Sequence, residues 1–241
     1  MVRNKAFGIS GFTLVEVMVA IGIMALMAML SWRGIDGMTR SQATTQAYVD
    51  EVQTLQTGLA QWGADLDATL QLQPAQQINA IDWDGRALRL TRRSSNAEDN
   101  GLLVVAWTRR LVDGTGQWLR WQSPPLRSRA ALTEAWQRAG LWAQNPGDEE
   151  KKREVAITPL DQWQIFYFRN DAWSNPLSSD GAAASISPSP SASAPAGTPA
   201  TGVTGTTIPE GLRLVLTLPP GTAVSGTLTR DWVAPTVGGG K

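Results

Sequence analysis

The chain has 241 residues, long enough for one sizeable globular domain plus an anchoring segment. Lys plus Arg and Asp plus Glu both total 21, a balance that gives no electrostatic reason to bind nucleic acid or acidic lipid. There is no Cys, which excludes disulfides and thiolate metal sites, and no His, which removes the commonest general base and metal ligand. Catalysis would have to rest on carboxylates or on Ser/Lys pairs, so the sequence points away from an enzyme and from any cofactor.

Residues 1–11 (MVRNKAFGISG) carry Arg3 and Lys5 and no acid. The next 19 residues, 12–30, are apolar apart from Thr13 and Glu16. As a helix they rise about 28 Å, close to the roughly 30 Å of a bilayer's hydrocarbon core. A secretory signal has a shorter apolar stretch of about 7–15 residues followed by a small-residue cleavage site. Here the run is longer, and the small residue, Gly11, precedes it. Glu16 poses the question, since an ionised carboxylate at a helix centre costs about 2.5–3.5 kcal/mol on insertion scales.

Gly11, Phe12, Thr13, Leu14 and Glu16, set at the start of the apolar run behind a basic leader, resemble the prepilin signal of type IV pilins and type II secretion pseudopilins. That resemblance implies a prepilin peptidase cutting between Gly11 and Phe12, so that residues 1–11 leave as a leader. It also implies N-methylation of Phe12, which becomes the new N-terminus, and retention of 12–31 as a membrane and filament-core helix. Glu16 would then face the positive N-terminus of a neighbouring subunit as an assembly contact. The alternative for Glu16 is a carboxylate that snorkels to the interface near a helix end.

Beyond the anchor, Tyr48, Val52, Leu55, Leu59, Trp62, Leu66 and Leu70 recur every three or four residues, the stripe of an amphipathic helix. Pro74 is the expected stop. The stripe reads as core packed on a sheet rather than as a coiled-coil seam, because few flanking charge pairs accompany it. The period then changes. Leu88 and Leu90 alternate with Arg89 after Asp84-Gly85, Leu102–Trp107 is a continuous apolar run, and Asp113-Gly114 precedes Trp118–Trp121. Residues 163–168 (WQIFYF), the strict alternation of Leu212, Leu214, Leu216 and Leu218, and Leu228 with Trp232 complete the strand-like segments. Residues 129–142 read as a short helix. The fold class expected is α+β, a long N-terminal helix on an antiparallel sheet, with 32–241 as one domain.

Two segments read as unstructured. GDEEKKRE (147–154) mixes both charge signs and is expected to be a solvated loop. Residues 178–207 are almost wholly Ser, Ala, Gly, Pro and Thr, too poor in apolar surface to offset ordering entropy, and read as a flexible insertion within the domain.

The stretch SWRGIDGMTR after the anchor, and Trp62-x-x-Asp65-Leu66 in the helix, resemble the J-type minor pseudopilins of the type II secretion system. Ala87–Arg92, Trp163–Phe168 with Trp173, and Ile208–Leu216 resemble strands of that family, whereas the 178–207 segment departs from it. The resemblance implies a single-pass inner-membrane protein with its domain in the periplasm. Its partners would be I- and K-type minor pseudopilins and the major pseudopilin, in a pseudopilus tip that serves protein secretion. A minor pilin of a type IV pilus shares every N-terminal feature and stays open. The acid pairs Asp65/Asp67 and Asp82/Asp84 read as structural rather than as metal or glycoside-cleaving sites: the first pair is i, i+2 on a helix and diverges, and the second flanks a turn.

Overall fold

The computed structural model describes residues 11–70, 80–94, 101–177 and 208–235. The chain divides into two compact units between Val49 and Asp50, inside a single helix, α1 (Leu14–Asp67).

In the first unit every described residue is exposed, including Val17, Ile21, Met24 and Leu30. Among the described residues, α1 is the one helix long and apolar enough to cross a membrane.

Among the described residues of the second unit, nine strands form two sheets. The first contains β1 (Ile81–Trp83), β2 (Ala87–Arg93), β3 (Leu102–Val112), β4 (Thr115–Gln122) and β5 (Glu154–Pro159), each antiparallel to the one before it. The second contains β6 (Gln162–Arg169), β7 (Ala172–Ser174), β8 (Gly211–Leu218) and β9 (Gly226–Val233), in the order β7-β6-β8-β9 and again antiparallel. Two helices, α2 (Arg129–Gln144) and the single turn α3 (Asp148–Lys151), connect β4 to β5. The expected α+β class holds, with the strands shared between two sheets. The switch takes two residues: Leu160 N–H donates to Gly116 in the first sheet and Asp161 N–H to Thr217 in the second, each through the backbone carbonyl.

Both two-residue hairpin loops follow from their residues. Asp113 (φ 51°) and Gly114 (φ 81°) join β3 to β4, and Asn170 (φ 50°) and Asp171 (φ 60°) join β6 to β7. Two successive positive φ values make the turn whose twist matches the flanking strands, and Asn, Asp and Gly tolerate that region best.

The apolar run of β3 is explained by cover on both faces. Val105 and Trp107 join Leu55, Trp62 and Leu66 of α1 in one core, while Val104 and Ala106 join Leu132, Ala135, Ala139 and Trp142 of α2 in another. A strand covered on both sides loses the polar half of its alternation. Among the described residues, β8 of the second sheet alternates, with every second side chain in the core. Leu212, Leu214, Leu216 and Leu218 all face the α1 core, and burying each contributes about 1.5–3 kcal/mol.

Two expectations about boundaries are corrected. The helix stops at Asp67, before Leu70, because the chain there joins the first sheet: Leu70 N–H donates to the Thr91 carbonyl, and Thr69 bridges Arg92. Pro74 and the segment 178–207 lie outside the described residues. GDEEKKRE is not a loop throughout. Residues 148–151 form α3, whose first-turn acids and terminal Lys151 suit the helix dipole, and Glu154 opens β5.

Candidate functional site

Glu16 is held by its own helix. Thr13 is the residue just before α1, and its hydroxyl accepts from the Glu16 N–H at 3.3 Å. In return, Glu16 Oε2 accepts from the Thr13 N–H at 3.1 Å and from the Thr13 hydroxyl at 3.0 Å. This is the reciprocal capping box, in which residues three apart satisfy two of the amides that a helix N-terminus leaves without partners. The negative charge also lies in the first turn, where the helix dipole favours it. Both contacts from Thr13 converge on Oε2. Gly11 and Phe12 precede the cap and are exposed, Phe12 to 85%.

The second unit holds a carboxylate in the opposite setting. Asp65 is fully buried. Its oxygens accept from Arg120 Nε at 2.7 Å and Arg120 Nη2 at 2.9 Å, from Arg92 Nη1 at 2.5 Å, from Trp107 Nε1 at 3.0 Å and from Gln61 Nε2 at 2.8 Å. The donors Arg92, Trp107 and Arg120 sit on β2, β3 and β4, three adjacent strands of the first sheet. Two residues on, Asp67 Oδ1 accepts from Trp232 Nε1 of β9, in the second sheet, at 2.7 Å. The two acids diverge as expected, and each reaches a different sheet.

Asp82 and Asp84 are structural as well. Both pair with Arg89, which also lies over the Trp136 ring at 5.4 Å. Asp84 Oδ1 accepts from the Arg86 and Ala87 amides at 2.9 and 2.8 Å, the local turn bonding expected of Asp there.

With this geometry in place, comparison with known proteins adds two findings. Residues 8–32 match the family model described as the prokaryotic N-terminal methylation motif. The chain carries that motif. No curated protein matches the chain. Among solved structures, it is similar to a chain in the crystal structure of the GspK-GspI-GspJ complex from the enterotoxigenic Escherichia coli type 2 secretion system. The identity is 16%, the TM-score 0.41, and the match covers 76% of this chain and 96% of that one.

The motif frames Gly11, Phe12 and Glu16 together: a small residue, an exposed aromatic residue and a capped carboxylate opening an apolar helix. Reading the sequence for membrane charge alone missed the role of Thr13. The signal was present, because Thr-x-x-Glu ahead of an apolar run is the sequence form of a capping box. The donors to Asp65 from the three strands carried no such local signal.

Proposed function

We propose that this protein is a J-type minor pseudopilin of a type II secretion system, anchored in the inner membrane by residues 12–31 with its α+β domain in the periplasm. The observation that carries the proposal is the methylation motif at residues 8–32, set on a helix that is exposed and apolar from its first turn. A prepilin peptidase would cut between Gly11 and Phe12, and Phe12 would be N-methylated. The post-anchor stretch SWRGIDGMTR and the Trp62-x-x-Asp65-Leu66 segment favour the J type over other minor subunits.

The chain works by assembly. Its partners would be I- and K-type minor pseudopilins in a tip complex, on which the major pseudopilin polymerises to export folded proteins across the outer membrane. In the free subunit, the Thr13 cap holds Oε2 of Glu16. In the assembled tip, Glu16 would receive the methylated amine of a neighbour. The cap lowers the cost of carrying that charge until the neighbour arrives, and the attraction between the two charges is stronger in low dielectric than in water, with desolvation taking back much of the gain.

Intact-mass measurement on protein extracted from membranes tests the processing step. We expect loss of 11 residues and addition of one methyl group; retention of Met1, or cleavage after residue 30, refutes it. Removing Arg3 and Lys5 with the leader takes the formal charge from 0 to −2. Deleting the gene should stop secretion. Loss of surface pili with secretion intact would instead assign the chain to a type IV pilus as a minor pilin.

A further inference from the structure

Three carboxylates on the domain half of α1 reach outward to three different parts of the second unit. Glu51 Oε2 accepts from the Ala223 N–H, in the loop between β8 and β9, at 2.8 Å. Asp65 takes donors from β2, β3 and β4, and Asp67 takes the Trp232 indole of β9. Around them the contact surface of the helix is apolar: Leu55, Trp62 and Leu66 are buried among Trp107, Trp118 and the leucines of β8. Apolar contacts are non-directional, so they fix the axial position of a helix through shape alone. Hydrogen bonds weaken steeply away from good geometry, and a bidentate guanidinium–carboxylate pair fixes direction as well as distance.

We propose that Asp65 and Asp67 form a mechanical joint, which transmits axial force on α1 to both sheets and stops the helix sliding through the core. Asp65 is the stronger half. Its two oxygens receive five donors, four of them from charged guanidinium or indole groups on three strands, so axial displacement breaks them together. Asp67 supplies the tie to the second sheet through one bond. Burial of the Asp65 cluster, with Arg92 and Arg120 at 7% and 13% side-chain exposure, keeps water from exchanging for these donors under load. The use of such a joint rests on the proposed assembly role, in which a subunit is drawn out of the membrane by its anchor helix.

The test needs no assembly machinery, so its failure is distinct from failure of that role. The chain has no Cys, and engineered cysteines can take handles for magnetic tweezers at chosen sites on the detergent-solubilised full chain. One handle pair, Ala43→Cys with Thr115→Cys, loads α1 against the first sheet; a second, Thr133→Cys with Lys152→Cys, bypasses both α1 and the strands that carry the donors to Asp65. The variant Asp65→Leu/Arg92→Met/Arg120→Met replaces the charges by apolar groups of similar bulk, a change that buried ion pairs often tolerate thermodynamically. We expect its folded lifetime under constant load to fall by about tenfold or more through the first pair and to stay unchanged through the second. Equal shortening through both pairs would make the cluster mere stabilisation, and no shortening through the first would also overturn the joint. Should the triple variant not fold, Trp232→Phe removes only the donor to Asp67. It should shorten the lifetime between Ala43→Cys and Thr227→Cys while sparing the pair that bypasses α1; an unchanged lifetime in the first of these overturns the proposal.

Discussion

Glu16 and Asp65 are carboxylates on the same helix in opposite settings. Glu16 lies where every neighbour is exposed and takes its donors from a residue three positions away. Asp65 is fully buried and takes donors from as far as 55 residues along the chain. A carboxylate with local partners can change partners without disturbing a fold. One satisfied by three strands cannot, because each donor would be left buried without an acceptor. The comparison separates a group available for assembly from a group committed to architecture.

Deleting each in turn breaks the comparison most sharply. Asp65→Ala leaves Arg92 and Arg120 buried without their counter-charge, and removing one partner of a buried pair costs about 3–5 kcal/mol. Urea denaturation of the second unit should show that loss as a lower midpoint. Glu16→Ala should leave the same transition in place, since its bonding partner is Thr13 alone among the described contacts. Glu16→Gln should match Glu16→Ala in partner capture if charge is what a neighbour reads. A large shift of the denaturation midpoint from Glu16→Ala would erase the distinction.

The contrast also explains which parts of the molecule were legible in the sequence. Leu212, Leu214, Leu216 and Leu218 declared a strand with one covered face, and Asp113-Gly114 declared its hairpin, because both signals are local. The helix at 129–142 was equally plain, and α2 begins at its Ser128 cap. The partition of strands into two sheets was not, since it turns on Leu160 and Asp161 pairing with different strands. Strand β5 was hidden because Glu154 looks like one more charge in a polar run, whereas both its oxygens accept from Arg110 Nη2 and one also accepts from the Trp142 indole. The cluster at Asp65 was the least legible: apart from Gln61, one turn away, its donors lie 27, 42 and 55 residues away, and nothing periodic marks them.

A subtler difference along α1 lies at Gly58. A Cβ at Gly34 or Gly37 would meet open space, whereas one at Gly58 would lie 2.2 Å from Ile157 Cγ2 on β5. Gly58→Ala should therefore destabilise the second unit by about 1–3 kcal/mol, the usual cost of overpacking, offset in part by the better helix propensity of Ala. Gly34→Ala should be neutral or slightly stabilising by the same urea measurement. Pairing Gly58→Ala with Ile157→Ala should recover much of the loss. Failure of that rescue would mean that the close approach of α1 to β5 is not what requires Gly58.

The smallest effect at neutral pH is expected at Tyr167, another buried polar group but one without a partner. Its hydroxyl is enclosed in the core beside α1, with no hydrogen bond among the described contacts. Burial raises its pKa above the ordinary tyrosine range near 10, and the Asp82 charge adds to the rise. Because the folded state holds the proton more tightly than the unfolded chain, the stability linked to it is complete below about pH 10 and is lost as pH climbs through the folded value. Tyr167→Phe removes a hydroxyl that has no partner to lose, so at pH 7 the domain should be as stable as the parent or slightly more so. The two proteins should separate only in alkaline solution, where the parent loses stability and the variant escapes this component of the loss. On the acid side the order of causes reverses for Asp231. Its hydrogen bonds with Arg213, at 2.7 Å each, hold its pKa below the usual carboxylate range, so its contribution is present above that range and fades as pH falls through the depressed value. Both groups of that pair are partly exposed, and salt should weaken the acid-side effect while leaving the alkaline loss at Tyr167 nearly untouched. Urea midpoints for the parent and Tyr167→Phe across pH 3–11, at low and high salt, measure both. Parallel alkaline curves would show that Tyr167 does not titrate with unfolding.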